Sequence, residues 1–428
     1  MKNVVLTICF VAGYLFSSTA QTSNPQQFQY KFTVAKDGTG DFSFIQDAID
    51  ALRVYPLAPI TVYIKNGVYN EKIELPANNV DVTFVGENVD STIITYNDYS
   101  GKGKHTTFTS YTAKISGNRF RAENITFANS AGPVGQALAL YVDADKAVFK
   151  NCKFLGNQDT IFTGGEYSRQ LFENCYIEGT TDFIFGPATA VFQDCTIRCK
   201  KNSFITAAST PMGKQFGFVF KECKIIADTN VTQLHLGRPW RAYAKTVFLN
   251  CVLPKVIAPE GWNNWSNPEN EKTVYYAEYK NRDEGSEIEK RVKWSKQLTN
   301  KEAKKYTVAN IFSSGKLNNV DDNLWFDGSA QTPFDKNIFI HKIPSVIPLY
   351  KNGVPNSTGA PDKEYSIFRD NVTRIAKVSV PTLTIYKPVK PTGRAVVILS
   401  LIHIWSLYCQ QERKTKLLCT DKCFWCSY

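Results

Sequence analysis

Histidine is scarce in this chain, with four in 428 residues, at positions 105, 235, 341 and 403. No two of them stand at metal-ligand spacing, and the lone pair Cys423 and Cys426 has no second pair to complete a zinc site. A serine nucleophile elbow is missing, as is any histidine placed to serve one. The glycine-rich turn Asp37-Gly38-Thr39-Gly40-Asp41 lacks the Lys-Ser/Thr that would make it a phosphate cradle. No run of Arg and Lys interleaved with aromatics suggests a nucleic-acid groove. These absences leave side-chain carboxylates to carry any chemistry, with neither metal nor organic cofactor required.

What the chain does have is a repeat. Five segments read Phe-x-x-Cys-x-apolar, beginning at Phe149, Phe172, Phe192, Phe220 and Phe248, and Ala122–Phe127 fits with Ile125 in place of Cys. The equivalent positions 125, 152, 175, 195, 223 and 251 are 27, 23, 20, 28 and 28 residues apart. Apolar and polar residues alternate as in a strand preceded by a bend. Strand-bearing units this short cannot bury their own apolar faces and must stack as a solenoid. The Leu/Asn consensus of leucine-rich repeats is missing, so the spacing predicts an all-β parallel β-helix with three short strands per coil.

Equal offsets in successive coils bring residues one above the other, roughly 4.8 Å apart. Asp159 falls seven residues after Cys152, and Asp182 seven after Cys175. Two like charges that close cannot both ionise freely, so one pKa rises while the other stays low, which separates an acid from a nucleophile. A single Asp in a solenoid turn commonly caps backbone amides. Two at matched offset, each set among apolar residues (Ile161-Phe162 and Phe183-Ile184-Phe185), point to chemistry instead.

Other polar residues could serve this pair. Gln136, entering the apolar stretch Ala137–Leu140, and Gln158, directly before Asp159, carry amides able to hold an oxyanion or simply to form a structural ladder. Arg238, in Leu236-Gly237-Arg238-Pro239-Trp240, could dock on one carboxylate and keep it ionised, or form a structural ion pair. Trp240 offers a flat face to a sugar ring or to plain packing, and Gly261–Trp265 adds aromatic surface.

At the N-terminus, Lys2, the apolar run Val4–Phe16 and Ser18-Thr19-Ala20 form a secretory signal peptide over residues 1–20. The run is too short for a comfortable membrane span, and the repeat region offers no second candidate. The mature protein is therefore expected to be secreted or periplasmic, a monomer free of the membrane. A net charge of +11 suits an acidic polysaccharide. A helix over 43–54, with Ser43 and Gln46 as a capping box, is expected to plug the first coil. Thr299 and Glu302 open a closing helix, and the solenoid ends near Ser314. The repeat cysteines form an inward ladder, and in an exported protein Cys175 and Cys195, on the shortest coil, are the pair expected to bond.

The strings Gly67-x-Tyr69-x-Glu71, Gln136–Leu140, Gln158-Asp159-Thr160-Ile161, Asp182–Gly186 and Leu236–Trp240, in that order, resemble the pectinesterase family from about Phe32 to Ser314. The resemblance implies a right-handed parallel β-helix that hydrolyses methyl esters of galacturonate in pectin, with methyl-esterified homogalacturonan as its partner. By motif position, Asp182 would be the nucleophile and Asp159 the general acid and then base. Gln136 and Gln158 would form the oxyanion hole, Arg238 would orient Asp182, and Trp240, Gln136 and Arg238 would contact substrate. The short leader before the catalytic domain is closer to bacterial members than to plant members with an inhibitor-like pro-region.

The domain reading is a signal peptide (1–20), a catalytic β-helix (21–315), a linker and truncated segment (316–400) and a non-native or disordered tail (401–428). Within 316–400, Ile347–Tyr350, Pro381–Tyr386 and Ala395–Leu399 look like the first strands of an α/β-hydrolase-type esterase, so this extension is expected to be incomplete and inactive. Two other classes stay open: a retaining glycoside hydrolase, whose two carboxylates lie about 5–5.5 Å apart, and a non-catalytic, polysaccharide-binding β-helix. Methanol release without chain shortening separates the first, and loss of turnover on replacing Asp182 removes the second.

Overall fold

The computed structural model describes residues 29–313 and 325–326, with the backbone of four short strands between 345 and 385. From Lys31 the chain winds through three parallel sheets of eleven, seven and seven strands. One coil shows the pattern: Ala147–Lys150, Lys153–Leu155 and Ile161–Thr163 each enter a different sheet, and Arg169–Glu173 returns to the first. This is an all-β, right-handed parallel β-helix.

The repeat string turns a corner; it is not one strand. Phe149 and Lys150 close one strand, Asn151 bends the chain, and Cys152 leads into the next. The residues before the cysteines, Asn151, Asn174, Asp194, Glu222 and Asn250, all have positive φ, between 50° and 57°. Asn and Asp tolerate this left-handed conformation because their short polar side chains bond locally. Successive corners are linked accordingly, the Asn174 amide donating to Asn151 Oδ1 at 2.7 Å.

Inside, Phe149, Phe172, Phe192, Phe220 and Phe248 form a stacked ladder, with ring centroids 4.9, 4.8, 4.6 and 4.3 Å apart. Beside it runs the cysteine ladder, and its thiols are free, including those of Cys175 and Cys195, contrary to the expected bond. In parallel rungs the Cα–Cβ vectors run side by side rather than converging, and a disulfide needs convergence. Each thiol instead donates to a carbonyl of the preceding coil, Cys175 to Phe149 O and Cys195 to Phe172 O, both at 3.4 Å.

The plugging helix is shorter than expected, Ile45–Asp50, and buries Ile45, Ala48 and Ile49. Ser43 does not cap it. The Glu71 carboxylate accepts from the amides of Ile45 and Gln46 at 2.9 and 3.1 Å, while the Gln46 side chain accepts from Glu74 N at 2.8 Å. A full negative charge facing two orphan amides is a better cap than a hydroxyl. At the other end the Thr299–Glu302 capping box forms and opens the helix Asn300–Ala303. Leu298, Tyr306, Ile311 and Phe312 then pack on Val219, Val247 and Ala277, on the outer face of the eleven-stranded sheet.

Further on, Ser345–Pro348 pairs antiparallel with Thr382–Ile385, and Tyr365–Arg369 with Val372–Ala376. The leader 1–20, Ala395–Leu399, His341, His403 and the C-terminal cysteines lie outside the described residues. Among the described residues no helix is long and apolar enough to cross a membrane.

Candidate active site

One seven-stranded sheet organises the site through its strands Leu140–Val142, Ile161–Thr163, Ile184–Gly186, Phe204–Ala208 and His235–Pro239. Ile161 pairs with Ile184, and Asp159 and Asp182 each lie two residues before them. The alignment extends back to the aspartates: Ile161 N donates to Phe183 O at 2.9 Å and Asp159 N to Thr181 O at 3.1 Å. Both aspartates adopt the left-handed conformation, with φ of 63° and 49°, so the two turns share one shape. Both are buried, 8% and 6% exposed.

The electrostatics split the pair. Burial, then the neighbouring Asp182 charge, pushes the Asp159 carboxyl up to about 8, against a smaller lowering by the Arg238 charge. Asp182 does not stay at the ordinary carboxylate value as expected: burial raises it too. Hydrogen bonding and charge from Arg238 oppose that rise, so the larger shift falls on Asp159.

Arg238 grips Asp182 with two bonds, Nε to Oδ1 at 3.0 Å and Nη2 to Oδ2 at 2.6 Å. It reaches back across a rung occupied only by the methyl of Ala207, which stands in register between Phe185 and Arg238. Its guanidinium is held between the rings of Phe204 and Trp265, at 4.0 and 3.7 Å. Sequence reasoning missed both rings as site residues. Phe204 lies in no repeat string, and Trp265 was visible only as part of an aromatic cluster.

Gln136 and Gln158 meet as a parallel bridge. Their register is one residue out of step with the pairing of Leu140 and Ile161. The difference is absorbed by a bulge in which Ala139 N and Leu140 N both donate to Thr160 O, at 2.9 and 3.1 Å. Neither glutamine side chain makes a hydrogen bond among the described residues, which leaves both amides available beside the carboxylates. Trp240 packs edge-on to Phe185 at 5.7 Å, and Phe162 continues the same aromatic surface, with Phe108 on it at 5.1 Å. Phe108, 41% exposed, is a further ring that no repeat pointed to.

The comparisons with known proteins agree with this geometry. A family model described as pectinesterase matches residues 31–315. Pectinesterase 31 of Arabidopsis thaliana is 37% identical over 281 residues, which cover 63% of this chain and 88% of that protein. The chain spans about 58% of the length of the probable pectinesterase/pectinesterase inhibitor 32 of the same plant, at 38% identity over 70% of this chain. Among solved structures, the pectin methylesterase from carrot superposes with a TM-score of 0.63 at 34% identity, covering 69% of this chain and 95% of that one. A pectin methylesterase in complex with a hexasaccharide superposes with a TM-score of 0.58 at 29% identity, over 67% of this chain and 98% of that one. With the repeat, the three-sheet coil and the aspartate pair in register, these matches establish that the chain belongs to the pectinesterase family.

Proposed function

We propose that this chain hydrolyses the methyl esters of galacturonate in pectin, giving pectate and methanol. The observation that carries the reading is the in-register aspartate pair with Arg238 docked on one member only. Two identical acids are thereby given different tasks.

Asp182, kept ionised by Arg238, attacks the ester carbonyl carbon through one carboxylate oxygen. The amides of Gln136 and Gln158 receive the negative charge that develops on the carbonyl oxygen. Collapse of the tetrahedral adduct breaks the bond to the methoxy oxygen, and Asp159 donates its proton, so methanol leaves neutral. Asp159, now ionised, takes a proton from water as that water attacks the acyl carbon. The acyl bond to Asp182 breaks, both aspartates return to their starting states, and the product acid ionises to a carboxylate. Trp240, Phe185 and Phe162 give the sugar rings an apolar platform.

The same reading makes the protein a secreted or periplasmic monomer whose net charge of +11 suits a polyanionic wall polymer. It takes 21–315 as the catalytic unit and 316–428 as carrying no activity of its own. The test is methanol release from methylated pectin while chain length is followed by viscosity. Methanol with unchanged viscosity, lost by at least about 10³-fold in Asp182→Asn, is expected. Falling viscosity without methanol would transfer the carboxylate pair to glycoside chemistry, and polymer binding with no turnover at all would leave a binding protein.

A further inference from the structure

Between the strands Thr92–Tyr96 and Ala113–Ile115 runs a loop of residues 97–110. It contains Gly101 and Gly103 at positive φ, a 3-10 turn at Thr107–Thr109, and internal hydrogen bonds such as Gly101 N to His105 O at 2.9 Å. One buried carboxylate ties it to the neighbouring coil through Lys72. Asp98, its side chain 7% exposed, accepts from Lys72 at 2.8 Å and Lys102 at 3.1 Å, and His105 Nε2 lies 3.2 Å from it. Burial alone would raise this carboxyl, but hydrogen bonds from Lys72 and Lys102 outweigh it and keep it below the ordinary value. Three cationic or protonatable groups from one strand end and from the loop itself thus converge on one anion.

The loop in turn holds the main chain that carries Gln136. Ser100 N donates to Gln136 O at 2.9 Å, and Leu138 N donates to Ser110 Oγ at 3.2 Å. The Asn129 amide ties the Asp98 carbonyl (2.8 Å) to those of Ser110 and Leu138, both at 3.1 Å. The Gln136 side chain has no hydrogen bond of its own among the described residues, so its aim is set by its backbone alone. That backbone is bridged to Gln158 on one side, ahead of the bulge at Ala139 and Leu140, and meets the 97–110 loop on the other.

We propose that Asp98 is a positioning residue for the Gln136 amide, acting through the 97–110 loop rather than by touching substrate. The proposal rests on the oxyanion role given to Gln136 above. Its consequence is that removing the Asp98 charge loosens the aim of one oxyanion donor while Asp159 and Asp182, two and three rungs away, keep their own supports. Displacements of about 1 Å at a reacting centre cost up to about 10²-fold in rate.

A double-mutant cycle on the full chain, with kcat and KM for methanol release, tests it. Gln136→Ala is expected to lower kcat about 10²-fold. Asp98→Asn should lower kcat by about tenfold or more with only a small rise in KM, from Phe108 of the same loop on Phe162, and should cost no further kcat in the Gln136→Ala background. His105→Gln, at the exposed edge of the cluster, carries the same prediction at smaller amplitude should Asp98→Asn fail to fold. Equal fractional losses with and without Gln136 would show general loosening and overturn the proposal, as would an Asp98→Asn enzyme with the parent's kcat. A Gln136→Ala enzyme with the parent's kcat would instead remove the oxyanion reading itself, and the proposal with it.

Discussion

Asp159 is the residue whose chemistry is most open to measurement, because its carboxyl is pushed up to about 8 by burial and by the Asp182 charge. As the general acid it must hold a proton, so methanol release should fall as pH rises through about 8, and that limb should vanish in Asp159→Asn along with the activity. Stability gives an independent readout. Between the ordinary value of 3.8 and about 8, folded Asp159 keeps a proton that the unfolded chain releases. The folded state thus binds more protons in that window, and stability must decline as pH rises across it, then level off above 8. Thermal unfolding at pH 5 and pH 8 should show this decline in the parent, on the order of a few kcal/mol. Asp159→Asn should show a flatter profile and the larger stability at pH 8; equal slopes in the two proteins would mean that Asp159 is ionised throughout. The pair could be read from sequence because the coil between Cys152 and Cys175 has the same length as the strand register, 23 residues from Ile161 to Ile184. The arginine sandwich could not, since Phe204 sits in a 28-residue coil whose extra length is loop, and Trp265 lies beyond the last repeat cysteine, in a 30-residue coil from Val252 to Arg282.

At the scale of the element, the corner is the device that converts a repeat into a coil. Its demand is a left-handed residue before each cysteine, and Asn or Asp meets that demand at four of the five corners. Glu222 is the exception, with φ of 57°, a longer side chain and only a 3.4 Å contact to Asn250 Nδ2 to offset the conformation. An L residue in this region loses about 1–2 kcal/mol, of which Asn recovers part by local bonding. Glu222→Asn should therefore stabilise the protein by about 0.5–1 kcal/mol, seen as a higher midpoint in urea with an unchanged slope, and Asn174→Glu should do the reverse. The repeat string displayed the period of these corners but not their geometry, because an alternating pattern reads alike whether it lies in one strand or bends between two. The helix cap was hidden for a related reason: Glu71 lies 26 residues beyond Ile45, and only the first coil's return brings it there. The expected Cys175–Cys195 bond failed on direction, a property of side-chain vectors that rung spacing does not encode.

For the molecule as a whole, stacking has the consequence that each coil answers mainly to its neighbours, so stability and activity should separate by position along the axis. Ile49 and Phe192 make the comparison. Ile49 lies in the helix that plugs the first coil, 1% exposed, and its apolar partners belong to that end of the core. Phe192 stands in the middle of the phenylalanine ladder, between Phe172 and Phe220, in the strand Thr189–Gln193 that follows Asp182 within one coil and precedes Phe204. Truncation of either to Ala removes a fully buried side chain and costs about 2–5 kcal/mol. Ile49→Ala should lower the melting temperature and leave kcat per folded molecule at the parent's value, because two intact coils separate that helix from the coil of Gln136, and more separate it from the aspartates. Phe192→Ala should lower the melting temperature by a similar amount and also reduce kcat, because the rung it loosens is the one on which the Asp182 turn and the Arg238 stack depend. Methanol release measured well below both melting temperatures decides the matter. If Ile49→Ala loses kcat as severely as Phe192→Ala, the coils are coupled end to end, and the site owes its geometry to the whole column rather than to the five rungs that carry it.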